Sequence, residues 1–176
     1  DSRVPLEELL KGFPGGFNAI ADIVERRLTL EALLQAMVAD LPPNENVITE
    51  DREIPGPEDA PPVGVRIYRP KSSSGNLPGI FFIHGGGMIM GSVEGENLKA
   101  MELCESIQAL VVSVEYRLAP EHPHPAPLQD CYAALTWMAQ NADELAFNPD
   151  RLAVVGGSAG GGLTIATTMM ARDKGF

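Results

Sequence analysis

Residues 154–163 read VVGGSAGGGL, an apolar run closed by one serine set among glycines. The stretch leading in, RLAVV, is short and apolar on both faces, as a buried strand is. The stretch leading out, SAGGGLTIATTMMARDKG, has helical spacing and contains no proline. Gly156-Gly157-Ser158-Ala159-Gly160 therefore fits G-x-S-x-G between a strand and a helix. The logic is steric. Small residues two positions to either side of the serine let strand and helix pack closely. The sharp turn between them forces strained torsions on Ser158 and projects its hydroxyl above the sheet edge. The helix N-terminus offers free N–H groups and a partial positive charge to a developing oxyanion. Ser158 is thus a candidate nucleophile. A phosphate-cradling or dinucleotide-binding loop fails on spacing: Ser158 takes the second glycine site of G-x-G-x-x-G, and Ile165 misses the third counted from Gly160. No Lys-Ser/Thr pair follows for a P-loop.

Upstream the same alternation recurs. GIFFIHGGG is an apolar strand ending in glycines, 95–108 reads as a helix, and ALVVSVEYRLAP is a second strand. A helix is predicted over 127–146, and NPD leads into the RLAVVGG strand. Short apolar strands separated by helices imply an α/β fold, a parallel sheet with helices on both sides. Sites in such sheets form at the carboxyl ends of strands, where both glycine-rich stretches fall. His84-Gly85-Gly86-Gly87 is the second such stretch. Its glycines let the backbone fold close to a ligand and aim N–H groups inward, as an oxyanion hole requires.

HGGGMIMG, VEYRLAPEHPHPAPLQDCYAAL and NPDRLAVVGGSAGGGL, in that order, resemble the hormone-sensitive-lipase-like branch of α/β-hydrolase carboxylesterases. The resemblance runs from about residue 40 to residue 175. It implies an α/β-hydrolase fold, a mostly parallel sheet flanked by helices, and a serine esterase cleaving short- to medium-chain esters through an acyl-enzyme. Ser158 would be the nucleophile, with the amides of Gly86, Gly87 and Ala159 as oxyanion donors. His84 and Gly85, with Gly156 and Gly160, would shape the two loops, and Tyr116 and Arg117 would have structural roles. Gly157 stands where many relatives carry Asp or Gln, which alters local hydrogen bonding but leaves the nucleophile. Met88, Ile89 and Met90 suggest an acyl pocket, and equally suit core packing.

A serine hydroxyl needs a base, and in this family the order along the chain is Ser, then Asp or Glu, then His. After Ser158 the chain offers Asp173 and no histidine. Asp173 lies about 22 Å along the helix that the serine begins, too far to orient a base. His122 and His124, in EHPHPAP, are stiffened by prolines and lack a third metal ligand. The expectation is the front part of a longer enzyme, since such domains run to roughly 300 residues. The triad acid and histidine would lie beyond Phe176, and the isolated chain would be inactive or very weak. A hydrolase-like ligand receptor or interaction module that has lost catalysis is the alternative.

Residues 18–40 carry Ile20, Ile23, Val24, Leu28, Leu33, Leu34, Met37 and Val38 at helical spacing. That helix stops before Leu41-Pro42-Pro43, and a shorter one is predicted over 5–11. The resemblance makes 1–41 a segment of N-terminal cap helices and 42–176 the first part of the catalytic domain. Two strand-like runs flank the proline-rich loop between 47 and 70. The 176 residues include 13 basic and 24 acidic side chains, a net charge of −11, which disfavours nucleic acid and anionic membranes as partners. No apolar run approaches the roughly 18 residues of a membrane span, and DSRVPLEELLKG has no signal-peptide pattern. Cys104 and Cys131 show neither metal nor disulfide spacing, as suits a cytoplasmic protein. No cofactor and no metal are implied. The partners expected are a small-molecule ester and either a second copy or the missing C-terminal portion.

Overall fold

A computed structural model describes residues 16, 19–58, 60–73 and 75–176. In chain order its elements are α1 (Ile23–Val38), β1 (Val47–Ile54), β2 (Val63–Pro70) and β3 (Leu77–Ile83), then α2 (Asn97–Ile107), β4 (Leu110–Glu115), α3 (Ala126–Gln140), β5 (Phe147–Gly156) and α4 (Ala159–Asp173). The helix predicted over 5–11 lies outside the described residues. The chain divides into two units, residues 1–39 and 40–176.

The first unit contains α1, shorter than the 18–40 expected. Asp22 caps it, its carboxylate accepting the Glu25 amide at 2.8 Å, and so satisfies one of the first-turn donors. Arg26 donates to the Ile20 carbonyl through two guanidinium nitrogens, at 3.1 and 2.5 Å, tying the entering chain to the first turn.

The second unit is built on a five-stranded sheet in the order β1-β2-β4-β3-β5. The sheet is mixed. The three strands that alternate with helices run parallel, β4 and β5 on either side of β3, while β1 and β2 form an antiparallel ribbon on the β4 side. The period-two alternation divides β3 between two layers. Phe81 and Ile83 join Val112, Val114, Met138 and Leu163 beneath α3 and α4, and Ile80 and Phe82 join Val111, Ala100 and Cys104 beneath α2. Burying side chains of this size contributes about 1.5–3 kcal/mol each, which makes β3 the anchor of the sheet.

Two boundaries differ from expectation for local reasons. β5 begins at Phe147, ahead of the Asn148-Pro149-Asp150 turn, because the Phe147 ring is buried against Gly79 and its backbone pairs with Leu77. A register shift at Pro78/Gly79 absorbs the extra residues. Helix α3 stops at Gln140 rather than 146, where both the Asn141 amide and its side-chain NH2 donate to the Trp137 carbonyl.

This topology places the glycine loops together. The chain leaves β3 for β4 through α2, then returns over β3 through α3 to reach β5, so the connections reverse direction at β3. Ile83 and Gly156 are register partners on neighbouring parallel strands. The loops that follow them, at 84–87 and 157–160, therefore open side by side at the carboxyl edge.

Candidate active site

Ser158 joins β5 to α4 with φ 54° and ψ −121°, a conformation that costs a non-glycine residue about 1–3 kcal/mol. It is exposed, and although it stands at the N-cap position of α4 its side chain makes no capping bond. The hydroxyl is therefore left for other chemistry. Gly160 shows why the turn excludes side chains: a Cβ there would lie 2.2 Å from the Ile83 carbonyl oxygen and 2.6 Å from that of His84. At Gly156 a Cβ would meet the Gly160 backbone at 2.5 Å.

The Gly85–Gly87 loop rests directly on this elbow. A Cβ at Gly85 would lie 3.1 Å from the Gly157 oxygen and 3.7 Å from the Ser158 Cβ. Gly86 turns with φ 115°, and its carbonyl accepts the amides of Ile89 and Met90 at 3.2 and 3.0 Å. A Cβ there would fall 1.9 Å from the Met90 oxygen, so only glycine permits the fold-back. The amides of Gly86, Gly87 and Ala159 donate to no acceptor among the described residues.

Buried side chains hold the loop from behind. His84 is fully buried and stacks on Tyr116, with ring centroids 4.1 Å apart and 10° between planes. Its Nδ1 lies 2.8 Å from the Gly85 carbonyl oxygen, which only accepts, so Nδ1 carries the proton. Nε2 has no hydrogen-bond partner among the described residues and lies 3.7 Å from Glu115 Oε1. Burial pulls the imidazole below its usual value, against the opposing effects of the Gly85 carbonyl and the Glu96 charge. The Tyr116 hydroxyl donates to the His84 carbonyl at 3.0 Å, and burial pushes its phenol up, so it keeps its proton. Behind Tyr116, Asp130 is fully buried and accepts from the Arg117 amide at 2.9 Å and its guanidinium at 2.8 and 2.7 Å. In front, the Gly85 amide donates to Glu96 Oε1 at 2.8 Å, and the Val93 amide to Glu115 Oε2 at 2.8 Å.

Sequence reading places Ser158, Ala159, Gly156 and Gly160 on one turn and His84 to Gly87 on the other, and the fold brings the two turns into contact. The other titratable candidates stay apart. His122 and His124 are exposed on the loop before α3, and Asp173 ends α4 paired with Arg172 at 2.6 Å. No hydrogen bond links a histidine to Ser158 among the described residues. Met88 packs against the larger core cluster, while Ile89 and Met90 are half-buried outside it. Glu96, Glu115 and Asp130 escaped sequence reasoning, because a carboxylate in a helix, strand or turn carries no local sign of the backbone amide it will meet.

A cleft of about 320 Å³ lies elsewhere, over β1 and β2, lined by Asp51, Arg66, Glu94 and Glu115 among others. Arg66 there is already paired with Asp51 and Glu94, both at 2.6 Å, and the lining holds no serine, threonine, cysteine or lysine.

A family model described as alpha/beta hydrolase fold matches residues 80–176. The carboxylesterase NlhH of Mycobacterium tuberculosis is 39% identical over 170 residues, 97% of this chain and 52% of that protein. An arylesterase of Saccharolobus solfataricus is 40% identical over 126 residues, 71% of this chain and 38% of its own. Among solved structures, a bacterial heroin esterase superposes with a TM-score of 0.84 at 41% identity, covering 89% of this chain and 49% of the other. The hyperthermophilic esterase of the archaeon Pyrobaculum calidifontis gives 0.82 at 37% identity, over 98% of this chain and 53% of the other. The chain thus spans about half the length of the first relatives it matches.

Proposed function

We propose, since this chain belongs to the alpha/beta hydrolase fold family, that it acts as a carboxylic ester hydrolase with Ser158 as nucleophile. One observation carries the reading: an exposed serine with an uncommitted hydroxyl, on a strained elbow touching a glycine loop whose Gly86 and Gly87 amides meet no acceptor among the described residues. Ser158 Oγ attacks the ester carbonyl. The amides of Gly86, Gly87 and Ala159 hold the resulting oxyanion, each such donor contributing about 10²–10³ in kcat in comparable sites. Collapse expels the alcohol and leaves an acyl-enzyme that water then cleaves. The glycines at the turns and the half-buried Ile89 and Met90 suit small esters with short to medium acyl chains. This chemistry needs no cofactor.

The relatives named above are esterases, which supports ester hydrolysis here. The base and its orienting acid are assigned to the part of the relatives' length that this chain does not span. On that reading residues 1–41 are cap, 42–176 are the first part of the catalytic domain, and the 176 residues alone hydrolyse weakly or not at all. The enzyme is placed in the cytoplasm, consistent with Cys104 and Cys131 as buried free thiols. No helix among the described residues is long and apolar enough to cross a membrane.

The test is hydrolysis of p-nitrophenyl acetate and butyrate by the full-length gene product. Activity should vanish in Ser158→Ala, and an unchanged rate in that variant refutes the assignment. A second reading, a ligand receptor on a hydrolase fold, draws on the absence of a histidine bonded to Ser158 among the described residues. A fluorophosphonate probe separates the two: an esterase labels at Ser158, whereas a receptor stays unlabelled.

A further inference from the structure

Glu96 occupies the N-cap position of α2, yet its side chain makes no capping bond to its own helix. It reaches instead across to the Gly85 amide, which donates to Oε1 at 2.8 Å. We propose that Glu96 is a positioning residue for the oxyanion loop, setting the orientation of the peptide that joins His84 to Gly85. The inference rests on Ser158 being the nucleophile and on Gly86 and Gly87 supplying oxyanion donors.

The geometry gives this bond its leverage. Oε1 lies 3.4 Å from the position of a Gly85 Cβ, and the Ser158 Cβ lies 3.7 Å from the same point. The carboxylate thus grips the loop beside the serine. A charge-assisted bond to an amide is about twice as strong as a neutral one and strongly directional. It takes the Gly85 donor out of the oxyanion site and aims the next two amides, which have no other partner among the described residues. Tyr116 holds the carbonyl end of that peptide and Glu96 its N–H end, while glycine at the three positions that follow His84 supplies little steric preference of its own.

The residues that flank Glu96 are held. Arg66 donates to Glu94 at 2.6 Å and to Asn97 at 3.2 Å, and Tyr68 donates to the same Asn97 oxygen at 2.9 Å. Asp51 fixes Arg66 through two bonds, at 2.6 and 3.0 Å. The start of α2 is therefore clamped to β1 and β2, and Glu96 passes that rigidity to the loop.

The charge strengthens the bond, but its direction needs only an acceptor oxygen at that place, and this separates positioning from general electrostatics. In the full-length chain, Glu96→Ala should lower kcat for p-nitrophenyl butyrate about tenfold to hundredfold while KM stays near wild type. Glu96→Gln, which keeps the acceptor, should recover to within about threefold. Arg66→Met, which loosens both flanks of Glu96, should lower kcat in the same sense without changing KM, and it serves where the alanine variant does not fold. Wild-type kcat in the alanine variant, or in Arg66→Met, overturns the proposal, as does equal loss in the Ala and Gln variants. Ser158→Ala in the same assay keeps the outcomes distinct. If that variant is dead and Glu96→Ala keeps wild-type kcat, only the positioning role fails; if Ser158→Ala stays active, the nucleophile assignment fails.

Discussion

Glycines near the serine are not interchangeable, and the space around each one says which are required. Gly160→Ala would drive a Cβ to 2.2 Å from the Ile83 oxygen, in backbone that cannot yield without parting α4 from β3. The expected cost is about 3 kcal/mol or more, at the upper end of overpacking effects. Gly162, in the same helix, has nothing within 4 Å of its Cβ position. Gly162→Ala should stabilise by about 0.4–1 kcal/mol, because alanine loses less backbone entropy in a helix. Urea midpoints of the two variants check the contrast, and similar midpoints would contradict it. The G-x-S-x-G spacing already announced the need at Gly160, since the close approach lies two residues from the serine. The space at Gly162 was not legible, because it depends on which face of α4 meets the sheet.

At the scale of elements, the loop leaving β4 is joined to α3 through an ion pair whose carboxylate is buried. Asp130 is fully buried, and Arg117 closes on it with two guanidinium bonds and its own amide. Arg117→Met leaves a buried carboxylate with only the backbone donor, a loss of about 3–5 kcal/mol by analogy with broken buried pairs. Arg117→Met combined with Asp130→Asn should recover part of that loss, since an amide oxygen still accepts the residue 117 N–H without a stranded charge. Thermal denaturation of both variants tests this, and a double variant less stable than the single one would refute it. The sequence resemblance gave Arg117 a structural role. Its partner, thirteen residues on, became visible only when α3 packed against the end of β4. The existence of each helix was readable from periodicity, but α3 ends at Gln140 rather than at the expected 146, where the Asn141 side chain captures the Trp137 carbonyl.

Across the whole molecule, the two edges of the sheet differ in character. β1 carries Glu50, Asp51, Arg52 and Glu53 in succession, charges that discourage pairing with another strand. β5 pairs with β3 alone among the described strands, and from Leu152 to Gly156 it carries no charge. Val155 is exposed on it, and Ile165 and Met169 are exposed on α4. The 176-residue polypeptide by itself should therefore self-associate as its concentration rises, and Val155→Lys should shift it toward monomer in sedimentation velocity. A monomer at all concentrations would count against this edge as the cause. The sequence alone determined the serine elbow, the glycine loop and the strand–helix alternation, because each depends on sterics and periodicity within a few residues. Tertiary structure decided that β3 and β5 are neighbours, that their two loops touch, and that Glu96 rather than any other acid grips Gly85. Those outcomes depend on strand order and on contacts between residues distant in the chain, where a buried amide and its carboxylate have no sequence spacing in common.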